Sequence, residues 1–169
     1  MVWLSFSTLR VYSAVRIHLH RLALAVPAIL LSNTYSLAQD ASSPFTMAQV
    51  TAGHLSYQFY CASCHGEDLQ GGGDAPPLAG PFFNHNWSKW SVSMLYQFTS
   101  QSMPQGLEGE LSAETYSNIV SFLLAANGAK PGSTPFAPKS SVKIGDIADG
   151  RIATAVINAP VDPQAGPTQ

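Results

Sequence analysis

Two cysteines and a histidine form the most chemically specific pattern in the sequence. Cys61 and Cys64 have two residues between them, and His65 follows at once. Thiols at this spacing can add across the two vinyl groups of a haem, and the adjacent imidazole can then bind the iron from one face. The pattern therefore predicts one covalently attached haem c. Both thiols would become thioethers, which leaves neither a disulfide nor a free thiol.

Two other kinds of site also use a CxxC pair. A zinc site would need two further Cys or His ligands; His54 and His85 are the nearest candidates, and no second CxxC is present. A thioredoxin-like redox pair needs βαβ surroundings, and no segment of this sequence has a convincing strand pattern. A predicted export segment, a Gly/Pro-rich loop and three predicted helices favour haem.

A second iron ligand is expected on the opposite face of the haem. Met103 is the leading candidate, because it lies in a predicted loop and Pro104 stiffens the turn that must hold a weak thioether ligand. His85 competes, since imidazole binds iron more strongly than a thioether does. Packing roles are expected for Met47, near the predicted mature N-terminus, and for Met94, at a helical core spacing. Methionine ligation would raise the reduction potential, whereas a vacant face would favour ligand or peroxide chemistry.

The surroundings of the haem follow from the needs of its ligands. His65 must donate its other ring N–H to an acceptor, and a proline carbonyl within Ala75-Pro76-Pro77-Leu78 is best placed to accept it. Trp87 and Trp90 are expected either to offer indole N–H groups to a propionate or to pack in the core. Apolar walls are expected from Leu78 and from Phe82 or Phe83.

Three helices are predicted to position these residues. The first begins after Thr46 as its N-cap and runs to the attachment site, with core positions at intervals of three and four. The second is expected from about Ser88 to Phe98. The third has Ser112 as N-cap, Glu114 in its first turn and Gly128 at its end. We predict an all-α fold with long loops, in which the Gly- and Pro-rich segment 66–80 wraps the haem.

Charge separates the N-terminal segment from the rest of the chain. All ten acidic residues lie from Asp40 onward, whereas Arg10, Arg16 and Arg21 have no acid near them. The apolar stretch Leu22–Leu31 that follows these arginines has the length of a signal-peptide core and is too short for a comfortable membrane span. We predict a signal peptide over residues 1–38, which implies export to the periplasm. An uncleaved N-terminal membrane anchor is the alternative.

The predicted mature chain, residues 39–169, is acidic. Its five bases and ten acids give a formal charge of −5, and no basic stripe is present, so nucleic-acid binding is excluded. A basic face on a redox protein is the natural complement of such a surface. Beyond Gly128 the sequence is rich in Pro, Gly and Ala. Lys143 to Ile157 could add a short element, and Gln164 to Gln169 is expected to be disordered.

The sequence resembles class I cytochrome c beyond the attachment motif. The resemblance implies that Gly53 and Tyr57 on the first helix cross the last helix, facing Tyr116 and the Ile119–Leu123 face. It also makes Pro76 the carbonyl partner of His65. The residues equated with the family's Pro-x-Leu and Met-Pro motifs are Pro76-Pro77-Leu78 and Met103-Pro104. The implied fold has three or four helices and long loops over residues 39–128, followed by a C-terminal extension over residues 129–169.

Within that family the sequence is similar to the periplasmic monohaem cytochromes that accompany quinoprotein alcohol and sugar dehydrogenases. The similarity implies an electron carrier without catalytic residues, passing single electrons from a dehydrogenase to an oxidase or another cytochrome. The alternatives are the cytochrome subunit of a dehydrogenase complex and a small haem peroxidase. Gln105–Gly109 keeps the subfamily's glycine and lacks its second proline. The residues behind the similarity are Tyr57–Gly66, Leu69–Gly80, Trp87, Met103-Pro104 and Leu111–Gly128.

Overall fold

A computed structural model describes residues 43–73, 75–162 and 166. The predicted signal peptide and most of the tail expected to be disordered lie outside these residues. The described residues form seven helices and no named strand, which confirms the all-α prediction. The expected number of three or four was too low, because three of the helices are single turns of four residues, too short to show a sequence period. The helices are α1 (Met47–Tyr60), α2 (Ala62–His65), α3 (Pro81–Trp87), α4 (Val92–Ser102), α5 (Ala113–Ala126), α6 (Ile144–Ile147) and α7 (Thr154–Ile157).

The starts of α1 and α5 are set by side-chain caps, as predicted. At α1 the Thr46 hydroxyl accepts the Gln49 N–H at 3.3 Å, and the Gln49 side chain accepts the Thr46 N–H at 3.2 Å, which forms a capping box. At α5 the Ser112 hydroxyl accepts the Thr115 N–H at 3.1 Å. Helix α5 ends at Ala126 and is followed by Gly128 in the left-handed region, with φ of 96°.

The second predicted helix is displaced in the structure. Helix α4 begins at Val92 and not at Ser88, because the Ser91 hydroxyl caps it by accepting the Met94 N–H at 3.3 Å. The aromatic stretch before it forms a helix of its own, α3, with Pro81 in its first turn. Helix α4 then continues to Ser102, so the loop that carries Met103 is shorter than predicted.

The core is built where α1 crosses α5. A Cβ on Gly53 would overlap the backbone carbonyl of Asn118, so the two helices meet backbone to backbone at this glycine. The rings of His54 and Tyr57 pack on Phe122, with centroids 4.6 and 5.3 Å apart. Phe122 belongs to the Ile119–Leu123 face expected at this crossing, while the Tyr116 hydroxyl bonds a loop. Every residue of α5 from Thr115 to Ala126 is buried.

The C-terminal extension completes the same core. It buries five apolar side chains: Ala129, Phe136, Ile144, Ala148 and Ile157. Its backbone forms isolated bridges with the residues before α1 and α4, pairing Gly132 with Thr46 and Lys143 with Ser91. Residues 129–157 therefore support the helices that carry the site. In the part of the chain that the structure describes, no helix is long and apolar enough to cross a membrane.

Candidate haem site

A cavity of about 1410 Å³ lies between α1, α2, the 66–78 loop, α3, α4 and the loop after α4. His65 is the one histidine among the described residues that line it, and neither His54 nor His85 is part of its wall. His54 is buried against Phe122, and burial lowers its pKa, while His85 is exposed on α3. All seven residues predicted for the site line this cavity: Cys61, Cys64, His65, Pro76, Leu78, Trp87 and Met103.

His65 is prepared to bind a metal through one particular nitrogen. Its ring is buried, and its Nδ1 lies 2.9 Å from the carbonyl oxygen of Pro76, the acceptor expected from the sequence. A carbonyl oxygen can only accept, so Nδ1 must carry the ring proton. The lone pair is then left on Nε2, the nitrogen available to an iron ion.

The loop between His65 and Pro76 is held by backbone contacts that need a glycine. Gly71 donates its N–H to the His65 carbonyl at 2.8 Å and has φ of 80°. A Cβ on Gly71 would lie 2.6 Å from the Ala75 oxygen and 3.0 Å from the Pro76 carbonyl carbon, too close for any other residue. This tight turn brings the Pro76 carbonyl to the Nδ1 atom of His65.

Two side chains that the sequence did not single out as site residues hold the same region. The Tyr57 hydroxyl donates to the carbonyl of Gly66 at 2.7 Å, directly after His65. The fully buried Asn127 amide donates to the Leu78 carbonyl and accepts the Gly80 N–H, both at 2.9 Å. An Asn at the end of a helix is a common cap, so nothing in the sequence marks this contact across 49 positions.

The two cysteines lie at the junction of α1 and α2. Cys61 is the residue that ends α1, and its carbonyl accepts the N–H groups of Cys64 and His65 at 3.2 and 3.0 Å. This helical turn places the thiols three positions apart on one side of the chain. Cys61 is half-buried, and Cys64 is exposed. Burial, with Cys64 beside it, raises the pKa of the Cys61 thiol to about 12.

Two methionines line the cavity, one from each end of α4. Met103 is half-buried at the end of α4, where its N–H donates to the Thr99 carbonyl at 3.0 Å. Met94 lies in the first turn of the same helix and is 41% exposed. The sequence assigned Met94 to packing, so its place in the cavity wall had not been foreseen. Met47 is not part of this wall.

The cavity wall carries many exposed apolar side chains, which favours an apolar ligand. Eight large apolar side chains are exposed among the described residues, and six of them belong to the wall. An exposed apolar cluster of this kind marks a binding site. Together with two thiols and a prepared imidazole, the wall fits a haem c. The six side chains are Phe59, Phe82, Trp90, Met94, Phe98 and Leu107.

The rest of this wall comes from α3 and the loop before it, through Leu78, Phe83 and Trp87. The Trp87 ring packs on Phe98 at a centroid distance of 5.3 Å, which joins α3 to α4. Phe83 is buried and Leu78 is half-buried against the core. A bound haem would supply a one-electron iron couple. The chain would supply its thioether anchors, its axial ligands and an apolar enclosure.

A comparison with known families agrees with this geometry. Residues 48–123, somewhat under half of the chain, match the family described as cytochrome c oxidase, cbb3-type, subunit III. No curated protein matches the sequence.

Among solved structures, the chain is similar to the sulfane dehydrogenase SoxCD from Paracoccus pantotrophus. The identity is 24%, the alignment covers 68% of this chain and 58% of the other, and the TM-score is 0.39. This chain thus spans a little over half the length of its structural neighbour, and the likeness is too weak to carry an argument about function.

The family match and the cavity lead to one conclusion. The matched residues contain the Cys61-to-His65 motif, Met103 and most of α5. Among the described residues no cluster of three or more His, Cys, Asp or Glu side chains forms a separate metal site. Over residues 48–123 the chain thus resembles a c-type cytochrome, and the cavity that these residues line fits a haem c.

Proposed function

We propose that this chain is an exported monohaem cytochrome, which accepts single electrons from a quinoprotein dehydrogenase in the periplasm. It passes them to an oxidase or to another cytochrome. One observation carries the proposal: His65 and Met103 line the same cavity as Cys61 and Cys64. Imidazole and thioether ligands raise the reduction potential and fill both axial positions, which suits a carrier and not a catalyst.

The choice of Met103 over its competitors rests on where the structure places each side chain. His85, the alternative from the sequence, is exposed on α3 and outside the cavity wall. Met94 reaches the wall from the first turn of α4 and is 41% exposed. Met103 is half-buried directly after the helix, and Pro104 behind it stiffens the turn that must hold a weak thioether ligand.

The proposed number of haems and the proposed cellular location are both inferred from the sequence. Two cysteines provide thioether anchors for one haem. Residues 1–38 have the basic start, apolar centre and small residues of a signal peptide. Residues 39–128 would form the cytochrome domain and residues 129–169 its extension. A segment that stayed uncleaved would instead tie the domain to a membrane.

The partner is proposed from charge. The mature chain carries a formal charge of −5, to which haem propionates would add. A basic docking face on the donor would steer such a carrier, and the association rate would fall as salt screens the attraction. Stopped-flow mixing with quinoprotein dehydrogenases at increasing ionic strength tests this. A reduction rate that is independent of salt would contradict the charge argument.

Ligation is tested by a pair of methionine variants. The oxidised protein should show the far-red methionine–iron charge-transfer band, and Met103→Ala should abolish it. Met94→Leu is the matched control, since it removes the other thioether of the cavity wall and keeps its apolar volume. Loss of the band in Met94→Leu, with retention in Met103→Ala, would assign the ligand to Met94. Rapid cyanide binding to the unaltered protein would favour a peroxidase instead.

A further inference from the structure

We propose that Tyr116 is a positioning residue for Met103, holding the ligand loop onto α5 through its hydroxyl group. The Tyr116 ring is 2% exposed, in the first turns of α5, and it is not part of the cavity wall. Its O–H donates to the Met103 carbonyl at 2.9 Å and accepts the Gly109 N–H at 3.0 Å. A single hydroxyl therefore bonds both the ligand residue itself and the far side of the loop.

The ligand loop, residues 103–111, has few other means of staying in place. Apart from the Met103 N–H bond to Thr99, its own hydrogen bonds lie within the loop. The Leu107 and Glu110 N–H groups donate to Pro104 and Leu107 at 2.9 and 3.1 Å, and the Gly106 N–H donates to the Glu108 carboxylate at 2.9 Å. Residues 105–110 are all exposed. Little buried area fixes the loop, so the two hydrogen bonds to a buried hydroxyl account for much of its attachment to α5.

The anchoring tyrosine belongs to a capped and largely buried helix. Helix α5 is capped by Ser112, is buried from Thr115 to Ala126 and crosses α1 at Gly53. A thioether is a weak iron ligand, so the fraction of molecules with methionine bound depends on how firmly the chain presents it. The Tyr116 hydroxyl fixes the Met103 backbone relative to α5, although Tyr116 itself does not line the cavity.

The consequence for binding follows from the two hydrogen bonds. Without the hydroxyl, the loop should open more often, and an exogenous ligand should then reach the iron of a bound haem more easily. The net strength of a buried hydrogen bond implies that cyanide association speeds up by about 3- to 10-fold in Tyr116→Phe. This inference rests on the proposed ligation by Met103.

The experiment compares Tyr116→Phe with Ser117→Ala in the haem-loaded protein. Ser117 is the next residue of α5, is 6% exposed, and donates its hydroxyl to Ala113 at 2.7 Å, inside the helix. The variant at Tyr116 should weaken the far-red band, accelerate cyanide binding and speed amide hydrogen exchange at Gly109. The variant at Ser117 should change none of the three.

Each outcome decides a different question. An unchanged band, cyanide rate and Gly109 exchange in Tyr116→Phe would overturn the inference, as would equal changes in Ser117→Ala. If the unaltered protein lacks the band, or Met103→Ala keeps it, then the proposed ligation fails. In that case faster Gly109 exchange in Tyr116→Phe would still show that the hydroxyl holds the loop, while the role toward the ligand would be lost.

Discussion

Gly53 offers a test in which two physical effects predict opposite signs. Alanine is a better helix former than glycine by about 0.8–1 kcal/mol, so propensity alone predicts that Gly53→Ala stabilises the protein. The structure predicts the reverse. A Cβ at this position would overlap the Asn118 carbonyl and lie 2.9 Å from the Cβ of Phe122, where α1 crosses α5. Since backbone cannot move aside like a flexible side chain, the two helices would have to separate.

The size of the effect can be worked from these two terms. Overpacking costs about 1–3 kcal/mol, and a clash with backbone belongs at the upper end. After the gain in propensity, Gly53→Ala should lower the free energy of unfolding by about 2 kcal/mol. For a domain of this size the midpoint of thermal unfolding should fall by about 6–10 °C.

Circular dichroism of the haem-loaded protein measures this change. The control is Ala52→Gly, on the neighbouring half-buried position of the same helix, which should cost only the propensity difference of about 1 kcal/mol or less. If Gly53→Ala were as stable as the unaltered protein, or more stable, the close crossing of α1 and α5 would be refuted.

Two further predictions concern buried polar groups. Burial lowers the pKa of His54 from its ordinary 6.5. The contribution of the neutral His54 ring to stability should therefore be fully present above pH 6.5 and should be lost as the pH falls through the folded-state pKa. The loss should be smaller in His54→Phe, which keeps a ring on Phe122; an identical pH profile of the unfolding midpoint would contradict this. Asn127→Ala leaves the Leu78 carbonyl and Gly80 N–H without their amide partner, and should cost about 2–4 kcal/mol in chemical unfolding. A cost below 1 kcal/mol would show that water replaces the amide.

Local features of the fold were predictable because their physical causes lie within a few residues. The caps at Thr46 and Ser112 are hydrogen bonds to the third residue on, so their spacing is visible in the chain. The start of α4 was misplaced for a related reason. Ser88 and Ser91 are both possible caps, and the aromatic residues before them suit either helix.

The candidate site was predictable where its chemistry is local and less so where it is distant. Spacing alone joins Cys61, Cys64 and His65, and the need of His65 for an acceptor pointed to a proline carbonyl eleven residues on. Met94 shows the limit of this reasoning. A helical spacing cannot distinguish a side chain that faces the core from one that faces a cavity, so its place in the wall emerged only from the packing of α4.

The sequence by itself predicted a haem c attachment motif, a helical fold, and the starts of α1 and α5, because each depends on residues close together along the chain. Only the tertiary structure decided that the extension after Gly128 completes the core, that Asn127 holds the segment after Pro76, and that the Tyr116 hydroxyl reaches the Met103 loop. These contacts join parts of the chain through the path that the backbone takes, and no local pattern of residue types records that path.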